Sequence, residues 1–387
     1  MVDVLIAPPV PDPGDPLGAP FRAAIEERLV EFLHRQTDEL TGLQPEVEPL
    51  LALTSRLLAG GKRLRPAFCV WGYVAAADLP DPADHRDPAD QPETADRLDA
   101  VLTAAASLEL LHASALVHDD VMDASDIRRG APAAHRQFEA LHTADRRLGD
   151  PEPFGRAGAI LLGDLLLMWS VEMLERAGLP PATALPTYQI AHRMRTEVTC
   201  GQYLDVAAQS LPLGAVLGDA LAAANRVVEY KSARYTVYRP AQIGAAIGGA
   251  PAPLLEALAA YGSPLGRAFQ FRDDLLGVFG DPTVTGKPVG DDLREGKRTV
   301  LVAYALAHTD EAGRRLLAER LGDPELDEGG VAALQQVITD SGADQAVEAM
   351  ITDYFEQAVA ALDEPSITAS GRAGLTALAA AAVHRQA

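Results

Sequence analysis

Beyond residue 20, apolar residues recur at intervals of three and four along nearly the whole chain, and that spacing restricts the fold more than any other feature. FRAAIEERLVEFLHRQ, LDAVLTAAASLELLHASALVHDD, GAILLGDLLLMWSVEMLERAG and PLLEALAAYGSPLGRAFQFRDDLLGVF each carry an apolar stripe of helical period. No run alternates polar and apolar as a strand with one buried face does. Gly178-Leu179-Pro180-Pro181 and Gly249-Ala250-Pro251 punctuate between helices. Alanine-rich faces allow close helix packing, so the expectation is an all-α fold: one large single-domain bundle over residues 21–387. Two stretches stand outside it. Residues 1–20 hold six prolines and read as a disordered tail. Residues 77–97 read as a solvated acidic, Pro-rich loop; the run 77–99 has eight acids against two arginines.

Hydrophobic content of 48% is enough for a large core. A net charge of -22 opposes nucleic acid and anionic membrane as main partners. Cys69 and Cys200 are too few for a disulfide framework or a zinc site, which favours a reducing cytoplasm. The first twenty residues lack the basic start and apolar run of a signal peptide, and no uninterrupted apolar run is long enough to insert in a bilayer.

Chemistry concentrates in VHDDVMDASDIRRG, residues 117–130. On a helix, Asp119 and Asp123 stack one turn apart with Asp120 beside them, and such carboxylates repel unless a cation lies between them. Arg128 and Arg129 follow, and guanidinium forks grip phosphate. A second acidic cluster, Asp273 and Asp274 with Gln270 one turn earlier, closes a helical stretch. A glycine-punctuated loop with Lys287, Asp291, Asp292 and Lys297 comes after it. Two acidic clusters facing across a bundle could hold Mg2+, which shares its oxygen shell with waters and substrate phosphates. Lys62 and Arg65 lie on one helical face in GGKRLRP, His112 sits about 10 Å before Asp119 on the same face, and Lys231 lies in EYKSARYTVYRP. These bases sort into two sets, one beside the acids and one (Lys62, Arg65, His112) able to bind a diphosphate without metal.

GGKRLRP, then ELLHASALVHDDVMD with RRG, then FQFRDDLL with GKPVGDDLREGKRT, resembles in this order the trans-isoprenyl diphosphate synthase (polyprenyl synthetase) family, over residues 55 to 305. The resemblance implies the isoprenoid-synthase helical bundle around a central cavity, a homodimer and three Mg2+ ions. It implies head-to-tail condensation of isopentenyl diphosphate with an allylic diphosphate (dimethylallyl, geranyl or farnesyl). It also implies that Asp119, Asp123 and Asp273 ligate metal directly, supported by Asp120 and Asp274. Arg128, Lys231, Gln270 and Lys287 would then address the allylic diphosphate. Lys62, Arg65, His112 and Arg129 would bind isopentenyl diphosphate, and Lys297 is assigned to substrate in general. Two departures stand out: Gly277 occupies a place where the family often has a third Asp, with Asp281 nearby as a partial substitute, and Lys231-Ser232 replaces a Lys-Thr pair while keeping the hydroxyl.

Product length should depend on Ser114 and Ala115, just before the first acids, where the family closes its pocket with an aromatic residue. Both are small here, so the expected product is geranylgeranyl diphosphate, with Leu111 as the next limit. Farnesyl or longer products, a class I terpene cyclase and a non-catalytic partner subunit are the alternatives. The cyclase reading lacks its second metal motif, since residues 225–229 read NRVVE, and the subunit reading conflicts with the intact acids and bases. Arg63 and Arg272 read as salt-bridge partners, Asp164 as a buried structural acid, Trp71 and Trp169 as core. Gln202 and Asp205 are assigned to a helix lining the pocket, and Asp291 and Asp292 to ordering the Lys287 loop.

Overall fold

The computed structural model describes residues 11–77, 92–211, 220–281, 289–323 and 325–384. The chain forms α1 (Ala19–Glu39), α2 (Glu48–Leu58), α3 (Leu64–Ala76), α4 (Pro92–Met122), α5 (Ala134–Ala144), α6 (Pro151–Glu175) and α7 (Pro181–Gln209). Next, α8 (Ala220–Val227) runs into a π-helical segment, Val228–Tyr238, and on into α9 (Arg239–Ile247). α10 (Ala252–Phe279), α11 (Asp291–Arg294), α12 (Val300–His308), α13 (Glu311–Arg320), α14 (Glu328–Asp340), α15 (Ala343–Ala361) and α16 (Ala369–Val383) complete it. All four segments with helical period are helices, as their spacing requires. Among the described residues the only sheet is a two-stranded ladder, Ile127–Arg128 against Ala131–Pro132.

The two expected irregular stretches are shorter than their composition suggests. Residues 11–18 already form turns, with Pro16 and Gly18 buried and Leu17 against the core. The acidic loop ends by Pro92, where α4 begins; once an apolar face can dock, a run with acids at every third position extends a helix. Residues 1–10 and 78–91 lie outside the described residues.

Two central helices carry the acids. α4 packs on α6, α3 and α1, and α10 packs on α15 and on the π-helical segment. Trp71 and Trp169, 1% and 4% exposed, belong to the continuous core between the helices. α3 and α9 cross with their backbones in contact: a Cβ on Gly244 would lie 1.7 Å from the Cys69 carbonyl oxygen. That crossing sets the start of α3, with Arg65, against the π-helical segment; Lys62 precedes α3 in an irregular stretch and does not share a helical face with Arg65, because Gly60, Gly61 and Arg63 take positive φ there. α4 and α6 are each long and apolar enough to cross a membrane by length and composition, yet 78% of the most apolar stretch of α4 is buried among other helices.

Candidate active site

The end of α4 and the hairpin after it assemble the first half of the site. Arg129 and Gly130 form the hairpin turn, both with positive φ (53° and 75°). The turn folds Arg128 back over α4, where Nε donates to Asp120 Oδ1 at 2.9 Å and the guanidinium stands 3.8 Å from Asp119 Oδ2. Asp120 is 2% exposed and outside the cavity lining. Asp119 accepts from Lys231 Nζ at 3.0 Å and from Gln202 Nε2 at 2.8 Å. Lys231 also pairs with Asp205. These contacts require α7 to lie against the π-helical segment at backbone distance, and a Cβ on Gly201 would meet the Lys231 nitrogen at 2.3 Å.

The π-helix was not legible as a period. Its wider turns present Val228, Lys231 with Ser232, and Tyr235 with Thr236 to the same cavity. Ion pairs hold its outer side: Glu197 of α7 binds Arg234 at 2.6 Å and Arg239 at 2.7 Å, while Glu229 binds Arg234 at 2.8 Å and Arg267 of α10 at 2.9 Å.

α10 supplies the second half. Asp273, Asp274 and Gln270 line the cavity, and Gln270 Nε2 donates to Asp274 Oδ1 at 2.8 Å. Lys297 reaches in from beyond α11, pairing with Glu295 at 2.6 Å and Asp292 at 3.3 Å. Lys287 lies outside the described residues. The basic set is assembled as well: Arg65 donates to Thr236 Oγ1 at 2.9 Å and lies 4.1 Å over the Tyr235 ring. His112 Nδ1 stands 2.7 Å from the Tyr235 hydroxyl. Lys62 and Arg129 line the same cavity, of about 600 Å³.

Charge is unevenly settled among these groups. Burial alone would raise the Asp119 carboxyl, but Lys231, Lys297 and Arg128 outweigh it and hold Asp119 below the usual range. Burial likewise opposes the charge of Lys231 and Lys297, and their acidic neighbours reverse it, so both ammonium groups titrate above the usual lysine value. Burial and then Asp119 push Asp123 up to about 7. Burial, with Asp292 and Asp273 adding to it against the Gln270 hydrogen bond, pushes Asp274 up to about 8. His112 is driven well below its ordinary value by burial and by Arg65, Arg129 and Arg128, so its ring is neutral.

Both Asp123 oxygens and Asp274 Oδ2 are buried without a hydrogen-bond partner. Orphaned carboxylate oxygens are donors suited to a hard divalent cation. Among the described residues no three Asp, Glu, His or Cys side chains converge closely enough to enclose an ion by themselves. Mg2+ takes one or two carboxylates and completes its shell with water and substrate phosphate.

Some expectations need correction. Ser114 does not reach the cavity: it is 3% exposed and its hydroxyl donates to the Gly163 carbonyl of α6 at 2.7 Å. One residue is a 100° rotation on a helix, which turns Ser114 to α6 and leaves Ala115 facing the cavity. Asp164 has a half-exposed side chain, 3.4 Å from His118 Nε2, because α6 shows that face outward. Asp281 is exposed and outside the cavity lining. Arg63 and Arg272 do form ion pairs, with Glu109 and Glu348. Tyr235, Thr236 and Glu295 escaped the sequence reading. Tyr235 stands four residues after Lys231, a spacing that could have flagged it.

Helices bring Asp119, Asp273 and Asp274 and the two basic sets to one cavity, with Asp123 one turn beyond Asp119 and outside its lining, and the chain belongs to the polyprenyl synthetase family, whose model matches residues 47–338. Its structure is similar to that of a geranylgeranyl pyrophosphate synthase from Corynebacterium glutamicum, complexed with isoprenyl diphosphate and magnesium. The two share 39% identity with a TM-score of 0.85, over 94% of this chain and 98% of that one. In sequence it is similar to a geranylfarnesyl diphosphate synthase of Aeropyrum pernix, 30% identical over 86% of this chain and 90% of the relative. A geranylgeranyl diphosphate synthase of Methanosarcina mazei is 32% identical over 87% and 91%. The family is Mg-dependent and binds isopentenyl and allylic diphosphates.

Proposed function

We propose that this prenyltransferase condenses isopentenyl diphosphate head-to-tail onto allylic diphosphates and stops at all-trans geranylgeranyl diphosphate. The observation that carries the product is Ala115: a methyl group, one turn before Asp119, faces the cavity where an aromatic ring would close it. Leu116, Val198, Val227, Val228 and Phe269 line the same cavity with hydrocarbon.

Asp119, Asp123 and Asp273, supported by Asp120 and Asp274, would hold Mg2+, in three ions, over the allylic diphosphate. When bound, these cations neutralise charge on the departing diphosphate. Arg128 and Lys231, placed by Asp120, Asp119 and Asp205, are aimed where that charge develops, and stabilise the ionised state more than the ground state. Lys287 and Gln270 are assigned to the same diphosphate. Lys62, Arg65, Arg129 and neutral His112 bind isopentenyl diphosphate so that its double bond meets the allylic carbon, and Ser232 and Lys297 are assigned to substrate in general. As the new carbon–carbon bond forms, the proton lost from isopentenyl carbon passes to the released diphosphate. The apolar walls exclude water that would trap the cation.

The single-domain reading of residues 21–387 rests on the continuous core. A homodimer is supported by apolar side chains left outward on α6 and α7, where Leu161, Met168 and Tyr203 are 61%, 59% and 72% exposed. Free Cys69 and Cys200 accord with action in the cytoplasm. The test is incubation with Mg2+, isopentenyl diphosphate and each allylic primer in turn, with products resolved by length. A discrete C20 product is expected. A C15 product overturns the account of Ala115, and no condensation overturns the function.

A further inference from the structure

The π-helix runs for 11 residues, Val228–Tyr238. Such helices are rare and usually last a single turn, so one of this length needs support from outside. Glu229, Arg234 and Arg239 are spaced by five along it and into α9. In an α-helix, residues five apart point about 140° away from each other. Hydrogen bonds closing from i to i+5 bring them together. Glu229 accepts from Arg234 Nε at 2.8 Å, and one oxygen of Glu197 on α7 accepts from Arg234 Nη1 at 2.6 Å and Arg239 Nη2 at 2.7 Å. The three side chains therefore form a charge ladder that only the π register allows, and Glu197 closes it. Burial opposes the charge of both carboxyls, and the arginines outweigh it, so both titrate below the usual range. On the α10 side the segment meets glycine: a Cβ on Gly266 would lie 2.4 Å from the Ala233 Cα, and one on Gly262 2.4 Å from the Tyr238 Cα. Those glycines make room for a wide helix, but a narrower one would also fit, so the ladder is what selects the register.

We propose that Glu197 is a positioning residue: by closing the Glu229–Arg234–Arg239 ladder it holds the segment in the π register, and that register sets the distance between the two substrates. The inference rests on reading the cavity as a site for two diphosphates. One end of the segment belongs to the allylic side, where Lys231 is tied to Asp119 and Asp205. The other end belongs to the isopentenyl side, where Thr236 accepts from Arg65 and Tyr235 meets His112. Each end is anchored by its own partners on other helices, so a change of register alters the spacing between the ends more than the make-up of either. Glu197 touches neither end. It acts through Arg234 and Arg239 from the outer side of the segment, outside the cavity lining.

The experiment is steady-state condensation by full-length Glu197→Gln, which keeps the side chain's shape and removes the charge the two arginines share. Isopentenyl diphosphate and geranyl diphosphate are varied in turn, well below the melting temperature. A reacting pair held about 1 Å out of place is expected to lower kcat by roughly tenfold to a hundredfold. KM for each substrate should stay within about threefold of wild type, because each diphosphate keeps its own binding groups. A merely structural ion pair would lower the melting temperature without that split. The crystal structure of the variant supplies a readout independent of activity: hydrogen bonds across 228–238 should close four residues apart instead of five. A kcat within about twofold of wild type, a loss carried by KM, or an intact π-helix in the variant would each overturn the proposal. Should Glu197→Gln fail to fold by circular dichroism, Glu229→Gln removes the other carboxylate of the ladder and is held to the same outcomes. If wild type itself condenses nothing, the functional reading fails and takes this inference with it; if wild type condenses and the variant behaves like it, the inference alone fails.

Discussion

Asp274 should make the metal-free protein less stable as pH rises, and Asp274→Asn should remove that dependence. The carboxyl is buried, Gln270 donates to Oδ1, and Oδ2 has no partner. Its folded-state value of about 8 compares with an ordinary 3.8. A raised carboxyl pKa means that the folded chain retains a proton the unfolded chain has released. Its contribution is therefore unfavourable above pH 3.8, grows as pH rises, and levels off past about 8. One pKa unit corresponds to about 1.36 kcal/mol, so between pH 5 and pH 8 the penalty grows by on the order of 3–4 kcal/mol. Asparagine keeps the acceptor for Gln270 and does not titrate. Guanidinium unfolding in EDTA at pH 5, 6, 7 and 8 should show the variant gaining that amount on wild type across the range. Adding Mg2+ with inorganic pyrophosphate should stabilise wild type more than the variant, because ligand binds only the folded state and the variant has lost a supporting carboxylate. A constant difference between the two proteins from pH 5 to 8 would refute the reasoning, since Asp274 would then be ionised in the fold.

Neighbouring residues on α4 should respond differently to the same substitution. Ala115→Phe fills the cavity and should shorten the product to C15, read by chromatography, with little change in melting temperature. Ser114→Phe forces a ring between α4 and α6 and breaks the bond to Gly163, so it should cost about 3 kcal/mol or more in unfolding free energy. Asp119→Asn should cut the condensation rate at least roughly a hundredfold, on the scale of removing one group that stabilises developing charge. Because Asp119 also neutralises buried Lys231, that variant should lose stability too, measurable by denaturant midpoint. Gly244→Ala should destabilise the crossing of α3 on α9 by about 3 kcal/mol, since its Cβ has no space beside the Cys69 carbonyl.

Sequence alone determined the helical class, because a period of three to four apolar residues has no other stable reading once strand alternation is absent. It also determined the chemistry of the site: the acids at 119, 120, 123, 273 and 274 and bases at 62, 65, 112, 128, 129 and 231 declare their types and order along the chain. What it could not determine is which of these carry unsettled charge. Asp119, Asp120 and Asp123 look equivalent as letters, yet Lys231 and Arg128 satisfy the first two while Asp123 is left orphaned, because the partners arrive from the π-helical segment and the hairpin. Ser114 and Ala115 are likewise adjacent letters of similar size, and only the position of α6 decides that one is packed and the other lines the cavity. The π-helix left no periodic trace because ion pairs to Glu197 and Glu229, remote or on its own first turn, sustain it. Gly277 is the sharpest case, because the Asp292 carboxylate lies against it. Position along a helix is a local property that spacing can express, but a carboxylate delivered from residue 292 is a contact between segments, and such contacts exist only once the chain has folded.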